Sequence, residues 1–182
     1  MIDPADEIAT LGDAVAALRD AGVSDQILLP PAGICGAFGL DRITPTKAGL
    51  YEPAEDGADA IVIGARDHDD LADLVAWPVA APTKFYRRIG AAVFLGEDLI
   101  EYAAFVRLPI QVFASPLSWL RAGCDGAVIL DHAADLRPAF DGIPAIYAET
   151  GHLGNMIARQ LRERTAWRLP SINVPEREGV AA

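Results

Sequence analysis

"SWLRAGCDGAVILDHAAD", residues 118–135, contains the pattern on which the reading of the fold turns. An apolar helical turn ends at Gly123, and the short run "GAVILD" then reads as a strand that finishes on Asp131 and His132. Upstream, "IQVFA" is strand-like, and Ser115-Pro116 opens the intervening helix with a good N-cap followed by proline at the first helical position. Downstream, "IPAIYAE" is a further strand, and Thr150 caps a helix over about 151–164. Strand, helix, strand, connection, strand, helix implies a small parallel or mixed sheet with crossovers.

Further out the pattern changes. Pro4 follows Asp3, an N-cap signal, and Ile8, Leu11, Val15 and Leu18 recur at helical spacing before Gly22, which predicts a first helix over 4–21 that docks through one apolar seam. "ILLPPAGICGAFGL" holds too many prolines and glycines for a long regular element, so residues 27–50 read as a short extended piece and a glycine-rich connection. "LYEP" at 50–53, "ADAIVIGA" at 58–65 and "DLADLVAW" around 70–77 are strand-like, with Asp56-Gly57 as a hairpin turn between the first two. "KFYRRIG" and "AAVFLG" lean towards strand, and "EDLIEYAAFV" is helical with Leu99, Ile100, Ala103 and Val106 on one side. The expectation is one α/β or α+β domain over 1–174, with an N-terminal helix, an antiparallel middle and a C-terminal strand-helix-strand unit. Residues 175–182 read as a frayed tail.

Charge and composition narrow the environment. The formal charge of −11 repels phosphate backbones and disfavours general nucleic-acid binding. The exception is Arg159, Arg162, Arg164 and Arg168, which read as cations placed at the end of a helix. No apolar run reaches the roughly 18 residues of a membrane helix, and the acidic N-terminus lacks a signal-peptide pattern, so the chain reads as cytoplasmic. Cys35 and Cys124 are too few for a disulfide framework, which fits a reducing compartment, with a bridge between them as the less favoured alternative.

Asp131 could hold a substrate hydroxyl or metal at a strand end, with His132 and Ser115 as weaker catalytic candidates. Each has a plainer reading as a turn or cap residue. Thr150, Gly151 and His152 offer anion-binding donors at a helix start, or simply a cap. Cys124 follows a helix C-terminus, where the dipole disfavours a thiolate. His68 among Asp67, Asp69 and Asp70 reads as an acidic turn, since no histidine precedes it to complete a metal-dependent phosphohydrolase set. Glycines 33, 36 and 39 match neither phosphate-cradling motif. The scattered histidines and cysteines give no zinc spacing, and neither a metal nor a cofactor is expected.

The helix-glycine-strand-aspartate pattern over 110–135 resembles part of the Toprim fold. That resemblance implies a glutamate after the first strand and an Asp-x-Asp pair after a later one; here Ser115 occupies the first place, and Asp131 and Asp135 have the wrong spacing for the second. "DLVAW", "KFYRRIG", "AAVFLG" and "SPLSWLRAGCDGAVILD" together resemble uncharacterised small proteins of prophage-like regions in high-GC proteobacteria, over roughly 50–135. This implies a genomic setting without an activity. The functional expectation is a non-enzymatic protein of a mobile element acting through protein contacts. Its alternative is a small-molecule-binding or hydrolytic domain with its site near Asp131.

Overall fold

The computed structural model describes residues 4–28, 38–67, 70–162 and 171–173. In chain order the elements are α1 (Pro4–Asp20), α2 (Asp25–Leu28), β1 (Phe38–Pro45), a 3-10 turn (Lys47–Gly49), β2 (Tyr51–Pro53), β3 (Ala58–Asp67), β4 (Asp70–Pro78), β5 (Tyr86–Arg87), β6 (Phe94–Leu95), α3 (Glu97–Val106), β7 (Ile110–Phe113), α4 (Pro116–Arg121), β8 (Ala127–Ile129), α5 (Arg137–Phe140), β9 (Ala145–Ala148), α6 (Gly151–Arg162) and β10 (Ser171–Asn173). The result is an α+β fold built on two five-stranded sheets. The first is antiparallel, in the order β2-β1-β3-β4-β5; the second, β10-β9-β7-β8-β6, is parallel except for β6.

Alternation along the strands sets the layers. Ile61, Ile63, Val75 and Trp77 project from one face of the first sheet into a core shared with α1, with Leu117, Trp119 and Leu120 of α4, and with Phe113 and Val128 of the second sheet. The opposite face of the second sheet, through Val112, Ala127, Ile129 and Ile146, packs on α3, α5 and α6. A smaller cluster of Ile43, Tyr51, Ala60 and Ala76 lies on the other side of the first sheet. The largest core therefore binds the two sheets into one body.

Several expectations are revised. Residues 38–45 form a strand, not part of a connection, and this strand separates its neighbours: β2 and β3 each pair with β1, so Asp56-Gly57 does not close a hairpin between them. Gly57 is required there for a different reason, because a Cβ would lie 2.6 Å from the Ile43 carbonyl oxygen. Val106 is exposed instead of packing with Ile100 and Ala103. Cys124 is buried and disulfide-bonded, against the expectation of reduced thiols. Gly123 and Cys124 both adopt positive φ, which turns the chain sharply after α4 and drives the sulfur inward. Asp3, Cys35, Gly33, Gly36, His68, Arg164, Arg168 and the tail 175–182 lie outside the described residues. Among the described residues no helix is long and apolar enough to cross a membrane.

Candidate functional site

The connection leaving β7 runs to β8 and the one leaving β9 runs to β10, in opposite directions along the second sheet, so the carboxyl ends of β7 and β9 flank a topological switch point. Ligands commonly enter at such a point. Here a carboxylate from the chain itself occupies it: Glu149 Oε2 accepts a 2.7 Å hydrogen bond from the Ala114 amide. Ser115 Oγ accepts from the Ser118 amide at 3.2 Å and shares a 3.1 Å hydrogen bond with the Ser118 hydroxyl, capping α4. Thr150 Oγ1 accepts from the Leu153 amide at 3.2 Å and caps α6, of which Gly151 is the first residue. Both residues are taken up as caps, and neither makes a hydrogen bond to Asp131 or His132 among the described residues.

Asp131 and His132 lie one strand over, beyond β8. Asp131 Oδ1 accepts from the Ala133 amide at 2.9 Å, and Oδ2 accepts from Arg87 at 3.2 Å. Burial alone would raise the pKa of this carboxyl. The Ala133 amide, the Arg87 charge, the Arg87 hydrogen bond and the Ala134 amide outweigh that and hold it below the usual range. An ionised carboxylate with both oxygens engaged is a poor proton acceptor, so Asp131 is not placed as a general base. His132 is held below the ordinary imidazole range, first by burial. Asp131 works in the other direction, and Arg87 and His152 add to the depression. His132, at the end of β8, thus feels the field of His152 in the first turn of α6. Gln160 of α6 donates to the His132 carbonyl and ties the same two elements.

Arg87 comes from the first sheet. Its Nη1 donates to the carbonyls of Gly90 and Ala92, at 3.3 and 3.0 Å, as well as to Asp131, and its side chain is only 12% exposed. The loop that supplies those carbonyls is held from its other side by Asp73 of β4, 3% exposed. Asp73 accepts from five backbone amides, those of Leu74, Arg88, Ile89, Ala91 and Ala92, at 2.8–3.3 Å. The loop after β5 thus gives its amides to a carboxylate and two of its carbonyls to a guanidinium. Arg88, the next residue, turns away, donating to the Tyr51 carbonyl at 3.3 Å with its guanidinium 5.9 Å from the centre of the Tyr51 ring.

Between this brace and the end of β8 lies a cavity of about 490 Å³ lined by Gly49, Thr83, Lys84, Phe85, Tyr86, Arg87, Leu130, Asp131, His132 and Ala133. Its described lining residues hold two permanent cations and one carboxylate, in a chain of net charge −11. A larger and more open groove of about 790 Å³ runs past Asp13, Asp41, Glu55 and Asp59, and the cation among its described lining residues, Arg42, is bound to Asp59 and to the Glu55 carbonyl. Among the described residues no group of three or more His, Cys, Asp or Glu side chains is placed to hold a metal. The smaller cavity is the one whose described lining carries more permanent cations than carboxylates. Asp131 and His132 were legible from sequence as strand-end residues, whereas Asp73, Lys84 and Arg87 were missed.

No family model, curated protein or solved structure matches the chain. The likenesses to Toprim domains and to proteins of prophage-like regions therefore rest on their motifs alone.

Proposed function

We propose that this chain is a non-catalytic binding domain whose ligand is a small anion, a phosphate or carboxylate compound, held in the cavity beside Asp131. The observation that carries this reading is the convergence of Lys84, Arg87 and His132 on one concave site of about 490 Å³ in a strongly acidic protein. Long-range repulsion from the rest of the surface selects for a compact anion that can be desolvated and paired locally. Arg87 is fixed by its three acceptors, so it presents charge without losing side-chain freedom on binding. Lys84 is exposed and can close on the ligand, and His132 lines the same cavity.

Titration calorimetry with pyrophosphate and with citrate, using chloride as the control, tests this. Saturable binding is expected for at least one anion, with Lys84→Ala and His132→Ala each weakening it roughly tenfold, the scale of one charged hydrogen bond. Neither substitution touches the buried brace. A bound anion favours the imidazolium that burial, Arg87 and His152 oppose, so binding takes up a proton. Affinity should therefore rise as pH falls through the range in which the His132 imidazole takes up its proton, and His132→Ala should flatten that dependence. No saturable heat with either anion, or affinity unchanged in both variants, would sink the proposal.

A second reading, action through protein contacts, is favoured by one observation: the solvent face of α3 exposes Tyr102, Phe105 and Val106, with Leu108 just beyond.

A further inference from the structure

Resting on the reading of the cavity beside Asp131 as an anion site, we infer that its ligand is a monocarboxylate carried on a planar aromatic body, and not an inorganic or phosphorylated anion. Size is the first ground. A cavity of about 490 Å³ falls among the sites of roughly 300–1,000 Å³ that take organic ligands. An inorganic anion is only a few times the roughly 30 Å³ share of a water molecule and would leave most of that space to solvent.

Beside the charges stand three large apolar side chains held from behind. Phe85, Tyr86 and Leu130 line the cavity together with Lys84 and Arg87. Leu130 is buried in the core that joins the two sheets, and half-buried Phe85 packs against the same core. Half-buried Tyr86 packs instead against the smaller cluster that holds Ile43 and Tyr51. Aromatic side chains anchored in this way lose little freedom on binding and offer ring surface to a flat ligand.

Charge and donors select the acid group. With His132 neutral, Lys84, Arg87 and the ionised Asp131 sum to one positive charge over the described lining, which balances a single carboxylate. A phosphate dianion brings a second negative charge that this lining does not balance. Phosphate groups also draw on clustered backbone amides, at a helix start or in a nest. Here the amides of Lys84, Leu130, Asp131 and Ala133 donate instead to the Ala81 carbonyl, to the Val93 carbonyl twice and to the Asp131 side chain. The helical turn that meets the cavity, Lys47–Gly49, does so at its last residue. Arg87 Nη1 is shared among three acceptors, so the exposed Lys84 ammonium carries the pairing, and its donors suit the two oxygens of a carboxylate.

Titration calorimetry of the full chain at about pH 7.5 with acetate, benzoate, 2-naphthoate and phenyl phosphate tests the inference. The naphthoate is expected to bind about tenfold or more tighter than acetate. Benzoate should bind more tightly than phenyl phosphate, which has the same ring and most of a second charge. Phe85→Leu and Tyr86→Leu should each weaken the naphthoate at least threefold more than they weaken acetate. The two side chains pack on different clusters, so a variant that fails to fold leaves the other to be read. Lys84→Ala should weaken the naphthoate roughly tenfold. A naphthoate within threefold of acetate, phenyl phosphate as tight as benzoate, or naphthoate affinity untouched by Lys84→Ala or by both leucine variants overturns the inference. Saturable binding of pyrophosphate or citrate would then still uphold the broader anion site. No saturable binding of any of these anions, pyrophosphate and citrate included, overturns both.

Discussion

Asp73 illustrates how far a single side chain reaches in this protein. A carboxylate withdrawn from water is costly unless its lone pairs are filled, and here five amides fill them. Replacing it with asparagine keeps the shape but puts an NH2 group where one oxygen accepts from Ala91 and Ala92. Asp73→Asn is expected to lose about 2–4 kcal/mol in urea denaturation, the cost of buried donors left unpaired. Because Arg87 draws two of its acceptors from the same loop, anion affinity should fall with it in the fraction that remains folded. The sequence held a signal for this residue that was not used: in "DLADLVAW", Asp73 shares the phase of Val75 and Trp77, the two side chains that enter the core. A charge at the inward phase of a strand asks for partners, and those partners are backbone amides that no residue pattern displays.

At the scale of the element, periodicity and capping were legible and long-range pairing was not. α1, β3, β4, β7, α4, β8, β9 and α6 follow their predicted spans closely, because each carries its own period or its own stop signal. β1 escaped because Gly39, Asp41 and Pro45 interrupt it and most of its side chains stay half-buried or exposed; its hydrogen-bonded neighbours hold it in the sheet, not its composition. α5, at four residues, is too short to show a period. Ser115 tests the distinction between cap and chemistry directly. Ser115→Ala should cost about 1 kcal/mol, as the loss of an N-cap does, and leave anion affinity unchanged when both are measured on the same preparation. A fall in affinity without a fall in stability would assign Ser115 to the site instead.

Over the whole molecule, the shared core and the brace through Arg87 and Asp131 make the two sheets one structure. The disulfide at Cys124 acts on the same core. Cys124 is expected to resist a thiol reagent in the denatured, unreduced protein and to react once a reductant is added. Reduction should lower stability by about 2–4 kcal/mol, read from the shift of the urea midpoint. A Cys124 that labels without reductant would restore the sequence-based expectation of free thiols. That expectation drew on cysteine number, which says little about a cysteine placed by a left-handed turn inside a core.

The loop after β5 has one more consequence. An edge strand ordinarily offers its unpaired amides to any extended chain that passes, and this is how folded proteins begin to aggregate. β5 is an edge of the first sheet, but it is only two residues long, and the amides that follow it are turned inward onto Asp73. The carboxylate that braces the proposed anion site also removes the template on which a misfolded neighbour could nucleate, so the proposed recognition and resistance to precipitation would be vested in the same side chain.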